Sequence, residues 1–232
     1  MKALLRMYYY MLGGWKVLLF YAVIFILISF LTAHNHAGFF LTAAFITALP
    51  FAGTPVGIRT AEAQCRWRSY MKALPITPEQ YVDANYLFSL LSAGAAGLLT
   101  AFAVTVQMLR HPELSSAFPF APSAAEILLM CTAISAAMVL LTAAFLCPLH
   151  FQRSGGILTY LAAMPVGLLL LFAYIASLAR LTQGLNRCKW EPLPPLTRLL
   201  PYLLLALAIV CFPLSRLLSR RLYCRKRKGA SA

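Results

Sequence analysis

The sequence predicts an all-α polytopic membrane protein with six transmembrane helices. Three observations lead there. Six long apolar stretches run near 17–33, 38–58, 84–109, 124–147, 157–179 and 199–215. The composition is 61% hydrophobic and only 11% charged. The stretches are continuous and rich in Leu and Ala, without the alternation at every second residue that a transmembrane barrel strand needs. A helix of roughly 20 apolar residues crosses a bilayer core, and in lipid only helices or closed barrels satisfy their own backbone.

The spans and their connections use nearly all 232 residues, so one membrane domain, 15–215, is expected between a short N-terminal helix, 1–14, and a basic tail, 216–232. The first stretch is long, and no small-residue cleavage pattern follows it before the second. It therefore reads as a span and not as a cleavable signal. The net charge of +14 does not indicate nucleic acid, because the basic residues are unevenly placed. With the turn at 34–37 outside, 15 of the 20 Lys and Arg residues face the cytoplasm, together with both termini. That asymmetry is what the positive-inside rule requires. Arg110, Arg180, Arg187, Lys189 and Arg198 fall outside, so the last outer loop is unusually basic.

At the N-terminus, Leu4, Leu5, Tyr8, Met11 and Leu12 repeat at helical spacing, while Lys2, Arg6, Tyr9 and Gly13 take the opposite face. This pattern suits an amphipathic helix lying in the membrane interface, with its apolar side in lipid. Gly13-Gly14 favours a bend there over a straight inward extension of the first span. The second span holds Pro50, Gly53, Pro55 and Gly57, so it is expected to be bent, either as a mobile gate or as a static kink.

The longest cytoplasmic connection, 59–80, reads RTAEAQCRWRSYMKALPITPEQ. Its first part has helix-forming composition, and Leu74-Pro75 ends it. Thr77 then suits an N-cap, Pro78 a first helical position, and Gln80 can reach back to close a capping box. In the third span Ser89, Ala93, Gly97, Ala101 and Thr105 recur every four residues, a stripe of small side chains that predicts a helix-packing seam. Ser123 and Glu126 form a Ser-x-x-Glu box opening the fourth span, which gives Glu126 a capping role in preference to a proton relay. The fourth span ends at Cys147-Pro148, before a short basic connection containing Gly155 and Gly156. Trp190 in the last outer loop suits an interfacial anchor, and the tail beyond 215 a headgroup-binding segment.

The six cysteines form no Cys-x-x-Cys pair, and the histidines are isolated or paired only in the turn of His34 and His36, so no metal site is indicated. No P-loop, H-E-x-x-H or G-x-S-x-G occurs. The chain is thus expected to be no enzyme. The spans hold almost no ionisable groups, which argues against an ion-coupled carrier. What remains is a transporter powered from outside this chain, or a protein that moves nothing.

The segment RWRSYMKALPITPEQYVDANYLF resembles the first cytoplasmic loop of small bacterial ABC transporter permeases of the type-2 exporter class. The resemblance rests on Trp67, Tyr70, Leu74, Pro75, Ile76, Thr77, Tyr81, Val82 and Tyr86, and on Pro148, Leu149, Phe151, Arg153 and Gly155 after the fourth span. Pro78, Glu79 and Gln80 stand where that class often has basic residues, and Asn85 replaces a usual Lys.

The resemblance implies a permease subunit in the bacterial cytoplasmic membrane, paired with a second permease subunit as a homodimer or heterodimer. A separate ABC ATPase would carry the ATP and Mg, leaving no cofactor in this chain. Residues 62–72 would form the coupling helix. Glu62, Arg66, Trp67, Arg68, Tyr70, Leu74, Pro75 and Tyr81 would be the ATPase-coupling residues, with His150, Phe151, Gln152 and Arg153 in a second cytoplasmic loop. Trp67 and Tyr70 among Arg66, Arg68 and Lys72 make an aromatic-basic surface of the kind found at interface hot spots. A pathway without buried charge suits amphipathic or hydrophobic cargo such as peptides, lipids or drugs. The alternative is a non-transporting membrane scaffold or sensor that binds lipid or a regulator through its basic segments.

Overall fold

The structure is a computed structural model that describes residues 7–9, 23, 47–48, 50–55, 57–58, 62, 76–110, 124–151 and 195–228. The described residues contain no strand, and three long helices dominate them. These are α1, Pro78–Arg110, α2, Ala124–Phe151, and α3, Pro195–Lys228. All three are long and apolar enough to cross a membrane. At 1.5 Å per residue the 33 residues of α1 reach about 50 Å, against a hydrocarbon core of about 30 Å. Its ends therefore extend to the headgroups, where charged side chains are tolerated. The expected first and fifth spans, the outer loops and the end of the basic tail lie wholly or almost wholly outside the described residues.

The start of α1 is the capping box expected from Thr77-Pro78-Glu79-Gln80. Thr77 Oγ1 accepts from the Gln80 amide at 3.2 Å, and Gln80 Oε1 accepts from the Thr77 amide at 3.2 Å. Pro78 takes the first helical position, where its missing N–H costs nothing. The helix then runs without a break into the apolar stretch, so the turn at 77–80 and the third span are one element.

α2 sits between α1 and α3, which touch each other much less. The start of α1 lies beside the ends of α2 and α3. Tyr81 packs on Phe151 and Tyr223, and Asp83 binds Arg216 and Arg220. α1 is therefore antiparallel to the other two, and α2 and α3 run parallel. The core midway along the bundle is built mainly from small residues: Ala48 and Ala52 of the second apolar stretch, Ala93 and Ala96 of α1, Ala137 of α2 and Ala208 of α3. Small side chains let helix backbones approach closely where lipid supplies no hydrophobic drive between helices. A buried hydroxyl pair, Thr47 Oγ1 to Thr100 Oγ1 at 2.5 Å, joins the second stretch to α1.

α2 does not stop at Pro148; it continues to Phe151. A proline has no N–H for the carbonyl four residues earlier, here that of Ala144. Ser215 of α3 supplies the missing donor, its Oγ reaching the Ala144 oxygen at 2.5 Å. The second stretch uses the same device locally. Pro55 cannot serve the carbonyl of Phe51, and the Thr54 hydroxyl donates to it at 2.8 Å. Gly53 forms a turn between helical residues on either side, with the Gly57 amide on its carbonyl at 3.0 Å. In a membrane such Ser and Thr side chains are how a proline-interrupted helix stays hydrogen-bonded.

α3 likewise passes residue 215 and stays helical to Lys228. The boundary expected there marks a change in composition within one helix. Ser215 and Ser219 are buried on its inner face. Arg216 and Arg220, one turn apart, are held by Asp83: Arg216 Nε donates to Oδ1 at 2.8 Å and Arg220 Nε to the same oxygen at 2.9 Å. Arg220 also pairs with Oδ2.

The small-residue stripe of α1 is enclosed within the chain over only part of its length. Ser89 and Ala93 are buried, Gly97 and Ala101 are half-exposed, and Thr105 is exposed. The reason is geometric. A four-residue step advances about 400° around a helix, so a strict repeat of four drifts about 40° per step. The enclosed face instead follows Asn85, Ser89, Ser92, Ala96, Thr100, Ala103 and Gln107, steps of three and four. Among the described residues, a Cβ built on Gly94 or Gly97 would meet no heavy atom within 4 Å.

Candidate functional site

The expected coupling residues fall into two groups. Arg66, Trp67, Arg68, Tyr70, Leu74 and Pro75 lie outside the described residues, as do Gln152 and Arg153. Glu62, Tyr81 and Phe151 are described, and the structure brings them together at the end of the bundle where α1 begins. His150 is in the last turn of α2.

Glu62 is 2% exposed and Tyr81 3%. Both are thus interior groups, set behind whatever surface the connection presents. The Tyr81 hydroxyl donates to the Glu62 carboxylate, 2.6 Å from each oxygen. Hydrogen bonds of this length to a carboxylate are the strong, charge-assisted kind. Burying a carboxyl is costly unless it is paired and hydrogen-bonded, and the Tyr81 bond offsets part of that cost.

The Tyr81 ring is held on both sides. It meets Phe151 of α2 edge-on, with centroids 5.8 Å apart, and Tyr223 of α3 at 5.5 Å. Phe151 and Tyr223 close the triangle at 5.4 Å. Offset and edge-to-face ring pairs at these separations are favourable beyond the area they bury. One side chain of α1 thereby touches the ends of both other helices and the connection that carries Glu62.

A second layer comes from the N-terminus. Tyr8, expected on a lipid-facing side, is fully enclosed by protein. Its ring packs edge-on to Phe88 at 5.9 Å, and its hydroxyl accepts from Asn85 Nδ2 at 2.8 Å. The same amide nitrogen donates to the Tyr81 carbonyl at 3.1 Å. Burial, then the nearby Glu62 carboxylate, pushes the Tyr8 phenol well above its ordinary range, so it stays protonated. Its exposed neighbour Tyr9 takes the outer face. Asn85 thus has an interior use that a long, charged Lys could not fill.

One helical turn deeper, Tyr86 joins α1 to α3. Its hydroxyl lies 2.6 Å from Ser215 Oγ and 2.8 Å from Ser219 Oγ. The Ser215 proton is committed to the Ala144 carbonyl, so Tyr86 donates to Ser215 and accepts from Ser219. The chain Ser219, Tyr86, Ser215, Ala144 threads all three helices. In the sequence Tyr86 stands out only within a motif and Ser215 not at all; the signal for the latter is a serine pair one turn apart, at 215 and 219, on a mostly apolar and basic helix. Near the far end of α1, Gln107 is buried with its Nε2 unpaired.

The cluster joins three helices to residues of the N-terminus and of the connection before α1. Residues 4–224 match a family model described as ABC-2 family transporter protein. No curated protein and no solved structure matches the chain. The match spans nearly the whole sequence, and with three apolar helices able to cross a bilayer the chain belongs to the ABC-2 family of transporter proteins, as a membrane permease subunit that works with an ABC ATPase.

Proposed function

We propose that this permease is the membrane half of an ATP-driven exporter that moves amphipathic or hydrophobic cargo across a bacterial cytoplasmic membrane. A separate ATPase docks on the connection 59–80, chiefly through Trp67 and Tyr70 with Arg66, Arg68 and Lys72 around them. ATP and Mg belong to that partner. The observation that carries the reading is the convergence of Glu62, Tyr81 and Phe151. Two segments expected at the cytoplasmic face meet in one buried cluster, so a force on the connection has a short, rigid route into α1 and α2.

Both termini lie in the cytoplasm and the body has six spans in this reading. The parallel run of α2 and α3 is the order that a fifth span between them requires. Two permease subunits enclose the pathway, and the open side of α1 at Gly94 and Gly97 has room for a second helix. Arg221, exposed near the end of α3, faces lipid headgroups in this reading.

The test is affinity capture of the tagged permease from its native membrane. An ABC ATPase recovered in stoichiometric amount, with hydrolysis that responds to the permease, supports the proposal. Permease recovered intact and functional without any ATPase overturns it.

A further inference from the structure

We infer that Tyr81 is a positioning residue for energy coupling, its hydroxyl tying Glu62 of the docking connection to α1 so that the connection and the helix bundle move as one body. The inference rests on the proposed docking at 59–80 and adds the joint behind it.

Three features single Tyr81 out. Its hydroxyl makes the described hydrogen bond that crosses from the connection to α1, at 2.6 Å to both Glu62 oxygens. Its ring is wedged between Phe151, the last residue of α2, and Tyr223, in the C-terminal part of α3. Its carbonyl is gripped by Asn85, which also holds Tyr8. A group fixed at hydroxyl, ring and backbone cannot swing when its partner is pushed. It passes the displacement on.

The two halves of the joint are chemically separable. The ring packing fixes α1 to α2 and α3, and it survives a change to phenylalanine. The hydroxyl binds α1 to Glu62. Loss of the hydroxyl leaves the bundle assembled and the docking surface intact, but lets the connection rock against α1. The ATPase then closes on ATP without carrying the helices along.

Tyr81→Phe separates this from a merely structural role. The complex of permease and co-purified ATPase is compared by hydrogen exchange without nucleotide and with ATP trapped by vanadate, following peptides that cover 76–92. In the wild-type complex trapping changes exchange over these residues. In Tyr81→Phe the ATPase binds equally well and hydrolyses ATP, the nucleotide-free exchange pattern is kept, and the change on trapping is lost. Glu62→Gln, which keeps an acceptor, retains part of it. An equal response in Tyr81→Phe and wild type overturns the inference, as does a wild-type complex whose α1 does not respond to trapping. A wild-type permease that binds no ATPase fails the proposed function instead. If Tyr81→Phe does not fold, Glu62→Gln decides: a full wild-type response there also overturns the inference.

Discussion

At the residue scale, the junction depends on hydroxyls placed where prolines leave carbonyls bare. Pro148 strips Ala144 of its helical donor, and Ser215 restores one from another helix. A buried carbonyl without a donor costs roughly 1–3 kcal/mol. Ser215→Ala should lower stability by about that amount, seen as a fall in Tm of the purified permease in detergent. Pro148→Ala returns the backbone N–H to Ala144. In that background Ser215→Ala should cost distinctly less, and equal costs in both backgrounds would refute the pairing. Thr77→Ala removes the cap of α1 and should cost about 1 kcal/mol in the same assay.

These residues also show what the sequence could tell. Thr77 and Gln80 were legible because a capping box is local: both partners lie within one turn. Pro148 reads locally as a helix end, and only Ser215, distant in sequence, overrides it. Glu62 and Tyr81 were both picked out as coupling residues, but their mutual bond was not legible. No periodicity links a residue in a connection to one in the next helix, and an acidic residue in a basic connection reads as exposed.

At the element scale, α1 has one closed face and one open face, and substitutions should report the difference. Ala96 is fully buried against the alanine core, so Ala96→Leu overpacks and should cost about 1–3 kcal/mol. Gly97→Ala meets open space within the protomer and gains up to about 1 kcal/mol of helix propensity. The stripe at four-residue spacing follows the closed face at Ser89 and Ala93 and then rotates toward the open one. The end of α3 is tied down by Asp83. Asp83→Asn removes the shared partner of Arg216 and Arg220 and leaves two cations one turn apart. Both guanidinium groups are partly exposed, so the loss should stay near 1 kcal/mol or less and shrink as salt is raised.

At the scale of the whole molecule, the described part of the permease is a set of apolar helices whose ring contacts gather at the end where α1 begins. Class was legible from the apolar runs and composition, because the bilayer permits few solutions. Family was legible from the connection 59–80 and the segment after the fourth span, and the match over 4–224 agrees. How the helices meet was not legible, since Leu- and Ala-rich faces pack in many ways and the buried tyrosines choose among them. In the proposed function, chemical work enters at the end bearing Glu62, Tyr81 and Phe151.

The most direct measurement is the affinity of the ATPase for this permease in nanodiscs, wild type against the Trp67→Ala, Tyr70→Ala double variant. Loss of two interface aromatics should weaken binding by at least about tenfold while the variant keeps its Tm. Unchanged affinity in a folded double variant would contradict the claim that the partner drives this protein through the connection 59–80.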